Sequence, residues 1–216
     1  MTQMKRHRYR IHFAKRDAIR FTSHLDLHRT WERTLRRARV PLAYSHGFNP
    51  RPKMNQSPAL PLGCTSECEA VDIWLEEERP PDNIRHDVRR VAPEGLEIQS
   101  IIQVDPRLPS LQSQTVAVEY DVILDPTPPH DDLQVSVQTI LKAKNLPRHR
   151  RGKDYDLRPL IELLEIDSGD LGRPKLRMIL SAREGATGRP EEVIASLGLD
   201  PTYARIHRTK LILDSD

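Results

Sequence analysis

Hydrophobic and polar positions follow one order along this chain, and they follow it twice. Tyr9, Ile11 and Phe13 alternate with charged or polar residues, as a half-buried strand requires. Leu27, Trp31, Leu35 and Ala38 recur at helical spacing and predict an amphipathic helix over residues 24–39, with Ser23 as N-cap and Asp26 as its capping-box partner. Two extended runs, 53–62 and 69–76, read as a hairpin in which Val71, Ile73 and Leu75 share a face. A helix over 81–91, opened by prolines and closed near Gly95, and a strand over 96–104 complete a βαββαβ unit.

The segment DPRLPSLQSQ, residues 105–114, has Pro and Ser but no periodicity and reads as a linker. The order then returns: a strand over 116–124, a helix over 131–145, a strand pair over 155–166 and 175–182 joined by the turn DSGDLGRP, a helix over 190–197 and a strand over 204–213. The expected fold class is α+β, two tandem ferredoxin-like (βαββαβ) halves with antiparallel sheets. They span 1–104 and 115–216, with 105–114 as the linker.

Composition narrows the class. The 216 residues are 37% hydrophobic and 30% charged, too apolar for disorder and ordinary for a folded protein. No window approaches the apolar length of a membrane helix, and the N-terminus lacks a signal-peptide core, so a cytoplasmic location is expected. Cys64 and Cys68, in CTSEC, are too few for a disulfide framework and wrongly spaced for zinc, so neither metal nor cofactor is expected.

Charge changes the picture more. The net value of +3 conceals a gradient: residues 1–60 hold 14 Lys+Arg against 3 Asp+Glu, residues 61–145 hold 7 against 16, and residues 146–216 hold 13 against 12. A cationic block of this kind suits a polyanionic partner. Within it, Arg29, Arg33, Arg36 and Arg37 lie opposite the apolar stripe of the first predicted helix, where Glu32 is the only acid between His28 and Arg39. Unpaired like charge destabilises a helix, so its retention points to anion binding.

The loop YSHGFNPRPKM, residues 44–54, follows that helix at once. Gly47 permits a positive φ, Pro50 and Pro52 fix direction, Tyr44 and Phe48 offer stacking faces, Asn49 offers an amide, and Arg51 and Lys53 offer phosphate contacts. This mixture suits single-stranded RNA, with helix and loop as two walls of one surface. The competing reading is an Ω-loop whose Tyr44 and Phe48 form its own small core. A second basic run, LPRHRRGKDYD, adds Arg148, Arg150, Arg151 and Lys153.

Chemistry is less legible. SHLDLH places His24, Asp26 and His28 two residues apart, and His46 lies in the loop. Asp26 points away from both histidines on a regular helix, so helix capping is a simpler role for it than metal binding. The enzymatic alternative is metal-independent RNA cleavage with His24 or His46 as general base. A protein-docking module with a basic face is a third class.

The stretches RFTSHLDLHRTWERTLRRARVPLAYSHGFNPRPKM, ALPLGCTSECEAVDIWL and KDYDLRPLI resemble a bacterial radical-SAM-linked family of unassigned function. Members of that family occur as stand-alone chains or as C-terminal extensions of radical SAM proteins. The resemblance implies that Ser23, His24, Leu25, Asp26, Arg36, Arg37, Tyr44, Ser45, Gly47, Phe48, Asn49, Pro50 and Pro52 carry the motif. It also implies an RNA context, through gene neighbours encoding ribonuclease E/G. The chain lacks the three closely spaced thiolates of a radical SAM cluster. The expectation is an RNA-binding accessory protein without catalysis of its own, assisting a ribonuclease or a radical SAM partner.

Overall fold

A computed structural model of the chain describes residues 6–168 and 174–214, so most of the turn expected over 167–174 lies outside the described residues. Contacts divide the chain into two units, Met1–Gln114 and Thr115–Asp216. Both are mixed α+β, and every strand pairing described within them is antiparallel.

The first unit runs β1 (His7–Lys15), α1 (His24–Arg37), β2 (Met54–Gln56), β3 (Thr65–Leu75), α2 (Pro81–Arg89), β4 (Leu96–Val104) and a short α3 (Leu111–Gln114). Its sheet is ordered β4-β1-β3-β2, so the first strand is central. Tyr9, Ile11 and Phe13 pair across from Ile73, Val71 and Glu69. One face of the sheet carries Tyr9, Ile11, Phe13, Val71, Ile73 and Leu75, and Leu27, Trp31 and Leu35 of α1 and Ile84 and Val88 of α2 cover it in a single buried cluster. Phe13 meets Trp31 edge to face at 4.9 Å between ring centroids, a favoured aromatic geometry.

Alternation sends Arg8, Arg10, Asp72 and Trp74 to the other face. There the fully buried Asp72 accepts from Arg8 Nε at 3.0 Å and from Arg10 Nε at 2.8 Å. Arg8 also donates to the carbonyls of Leu108 and of Pro109, the latter at 2.7 Å. Leu111 N–H donates to Asn55 Oδ1 at 2.8 Å. Residues 108–114 are thus fastened across the sheet face that the helices leave uncovered.

Local chemistry explains where elements stop short of expectation. The helix expected over 24–39 ends at Arg37, because Arg39 takes φ +54° and Val40 N–H donates back to Leu35 O at 3.1 Å, a Schellman-type stop. The extended run expected over 53–62 shrinks to the three residues of β2, since Pro58 and Pro61 bring no N–H to a ladder.

The second unit contains β5 (Thr115–Leu124), α4 (His130–Lys142), β6 (Pro147–Arg150), β7 (Lys153–Asp156), β8 (Ile161–Ser168), β9 (Pro174–Arg183), β10 (Ala186–Thr187), α5 (Pro190–Ser196) and β11 (Ala204–Leu213). Its main order is β8-β9-β5-β11. The strand expected over 155–166 is divided by a 3₁₀ turn, Arg158–Leu160, around Pro159. The part before it pairs instead with residues 147–150 as a hairpin. Its two-residue turn, Arg151–Gly152, has φ of +49° and +76°, the left-handed pair that a tight hairpin of this twist requires.

Candidate nucleic-acid interface

Residues 44–53 form a pinned projection. Tyr44 and Pro52 form an isolated antiparallel bridge, Ser45 N–H donates to Arg51 O at 2.8 Å, Arg51 N–H donates to Ser45 Oγ at 3.0 Å, and Lys53 N–H donates to Ala43 O at 2.7 Å. Trp74 N–H donates in turn to Lys53 O at 3.2 Å, so the base of the projection extends the sheet. Gly47 takes φ +130° at the tip, a conformation that a side chain rarely adopts. Phe48 is 106% exposed and Tyr44 37% exposed, so the two rings do not form a core of the loop's own. An aromatic held fully in solvent by a pinned backbone is a surface for stacking.

The base of the projection is cationic. Lys53 Nζ lies 4.7 Å and Arg8 Cζ 4.8 Å from the centroid of the Trp74 ring. Arg6 donates to Tyr44 O at 3.4 Å and meets His46 Nε2 at 3.3 Å. Partial burial, then the fields of Arg6 and Arg8, lower the Lys53 pKa. Asp72 is shared between Arg8 and Arg10, which leaves the cluster with more positive than negative charge.

The helix arginines lie elsewhere. Arg29, Arg33, Arg36 and Arg37 are exposed on the outer side of α1, whose inner stripe packs on the Tyr9 and Ile73 face. Lys53 and Trp74 belong to the opposite face. Helix and loop base are therefore not two walls of one surface, because adjacent strand residues point to opposite sides of a sheet. Arg29 pairs with Asp26 at 3.1 Å, whereas Arg33, Arg36 and Arg37 make no ion pair among the described residues.

The second basic run splits by role. Arg148 donates to Ser196 Oγ and Arg150 lies 3.7 Å from Glu192, so both tie β6 to α5. Arg151 and Lys153 are exposed at the hairpin turn.

The catalytic candidates differ in their surroundings. Ser23 Oγ accepts from Asp26 N–H at 3.2 Å and donates to the Asp26 carboxylate at 2.7 Å, and this bond, with Arg29 beside it, keeps the Asp26 pKa low. Ser23 is thus the helix cap, and Asp26 is its partner in the first turn. His24 borders a cavity of about 10 Å³ with Lys15, Gln56, Ser57 and Glu69, room for about one water. His28 lies 3.6 Å from Glu32. Among the described residues no group of three His, Cys, Asp or Glu is placed to hold a metal. Cys64 is buried and Cys68 half-buried, and the two are thiols rather than a disulfide.

Sequence reasoning missed Arg6, Arg8 and Trp74. Trp74 lay inside a strand assigned to the core, and only its place between inward Ile73 and Leu75 marks it as outward-facing.

A family model for uncharacterised proteins conserved in bacteria, DUF2344, matches residues 8–190. The chain belongs to the DUF2344 family. Membership of a bacterial family of unassigned function, one part of what the loop and helix motifs led us to expect, is thereby shown; the radical-SAM link that was expected with it is not. No curated protein matches the chain. Among solved structures, the crystal structure of a Cbf5–Nop10–Gar1 complex contains a similar chain, 11% identical, with a TM-score of 0.51 over 94% of this chain and 48% of that one. The present protein thus spans about half the length of its structural neighbour, and the likeness is one of fold. No helix among the described residues is long and apolar enough to cross a membrane.

Proposed function

We propose that this DUF2344 protein binds single-stranded RNA through residues 44–53 and serves an RNA-processing or RNA-modifying enzyme as an accessory. The carrying observation is Phe48, fully exposed on a projection whose base is pinned by hydrogen bonds and carries the cations Arg6 and Lys53. Stacking of a base on Phe48 with phosphates at Arg51 and Lys53 needs no further rearrangement of the backbone. The small cavity at His24 and the engagement of Asp26 with the Ser23 cap favour binding over cleavage. The element order of each unit, together with the strand order β4-β1-β3-β2 in the first and β11-β5-β9-β8 in the second, supports reading both as ferredoxin-like.

The test is a paired measurement of affinity and turnover on labelled single-stranded RNA for the parent, Phe48→Ala, Arg51→Ala, His46→Ala and His24→Ala. Weaker binding in the first two variants and no turnover by the parent are expected. Cleavage by the parent that either histidine variant abolishes at unchanged affinity would replace this reading with the enzymatic one.

A further inference from the structure

Helices α1 and α2 share one buried cluster and lie on the same sheet face, so their outer sides form one layer. On α1, Arg33, Arg36 and Arg37 sit within two turns and are exposed without a carboxylate partner among the described residues. Residues 82–90, on α2 and its C-cap, continue the pattern, although they lie in the acidic third of the sequence. Arg85 is neutralised by Asp82 at 3.0 Å. Arg89 spends its donors on the carbonyls of Ile98, at 2.6 and 3.0 Å, and of Gln99, at 3.4 Å, so its position is fixed and its charge is not cancelled. Arg90 is exposed and makes no ion pair among the described residues. A shallow recess of about 440 Å³ lies along this side of α2.

We infer that the outer face of α1 and α2 binds the phosphate backbone of duplex RNA, apart from the single-strand site at Phe48; this inference rests on the RNA reading above. The guanidinium groups of Arg33, Arg36, Arg37 and Arg90, which no carboxylate engages among the described residues, suit phosphate oxygens through paired donors. Past the first turn of α1, neither helix exposes a large apolar side chain. Beyond that turn, where Leu25 is exposed, the face has nothing to stack on a base or to insert into a bilayer, and backbone contact is what it offers. The preferred ligand is then a stem with an unpaired extension, its paired part on the helices and its unpaired part on the loop.

Binding should be measured for a blunt RNA duplex of about 16 base pairs, one of its strands alone, the same duplex in DNA, and vesicles containing anionic lipid. The proteins are the parent, Arg33→Glu/Arg36→Glu/Arg37→Glu, Arg90→Glu, a glutamine version of the triple variant, and Phe48→Ala, each checked for an unchanged melting temperature. Helix variants should weaken RNA-duplex binding tenfold or more, lower the slope of log affinity against log salt by about 0.9 for each phosphate no longer neutralised, and leave single-strand binding within about twofold. Phe48→Ala should do the converse. Duplex binding unmoved by the helix variants, with single-strand binding intact, overturns this inference and leaves the RNA reading standing. A parent protein that binds neither form of RNA overturns both. Equal binding of duplex DNA, or binding of vesicles alone, overturns the assignment of the face to RNA.

Discussion

Phe48 and Lys53 share one loop and make different demands on a ligand. Phe48→Ala should weaken single-stranded RNA binding by about 1–3 kcal/mol through the missing stacking face, with no change in melting temperature, since the ring has no packing to lose. Lys53 gives a pH signature. Its pKa is lowered by partial burial and by Arg6 and Arg8, so in the unbound fold its ammonium opposes stability below that pKa, and the opposition fades as pH rises through it. A bound phosphate favours the charged form. RNA affinity should therefore be flat below the lowered pKa and fall as pH rises through it, before ordinary lysines titrate. Lys53→Arg should remove the fall, because a guanidinium keeps its charge there, and titration of affinity against pH for the two proteins checks this.

At the scale of elements, both ends of α1 invite a test. Ser23→Ala should cost about 1 kcal/mol in chemical denaturation by leaving the Asp26 N–H without its acceptor. The low Asp26 pKa adds stability that is present above the ordinary carboxylate range and lost as pH falls through the lowered value, so the Ser23→Ala deficit should shrink in acid. Arg39→Gly should stabilise by about 1 kcal/mol, since the left-handed φ of +54° is free of strain only for glycine. These two ends also show what the sequence can reveal. Ser23 and the stripe Leu27, Trp31, Leu35 and Ala38 announce the start and the buried face of α1, because capping and burial are local in sequence. The stop at Arg37 is hidden, because the residue at the left-handed position is an arginine. The β6–β7 hairpin is hidden likewise, since its turn is Arg151–Gly152 inside a basic run that draws attention as charge. The separation of Lys53 from the α1 arginines could not be read at all, because it depends on how β2 registers with β3 across 17 residues.

For the first unit as a whole, one buried carboxylate holds the greatest leverage. Asp72 serves both Arg8 and Arg10, which are 1% and 6% exposed. Asp72→Leu should destabilise the unit by about 3–5 kcal/mol, because two buried guanidinium groups lose their counter-charge. Since Arg8 also holds residues 108–109, cleavage after Arg107 by trypsin should accelerate in this variant more than cleavage at Arg183, which lies in the second unit. Equal acceleration at both sites would mean that Asp72 supports the chain generally and not this clamp.

The clamp also sets an order of events during synthesis. The central strand β1 is made first, yet the charge of Arg8 waits for residue 72, and its remaining donors wait for the carbonyls of residues 108 and 109. Before residue 72 is made a nascent chain carries a cationic strand whose guanidinium groups have only water as partner, and until residues 108 and 109 follow, the remaining donors of Arg8 stay hydrated. A released chain ending at Val104, which has all four strands of the first sheet, should accordingly remain open to protease, and one extended past Gln114 should close. The ten residues between them act as a latch that the unit receives last.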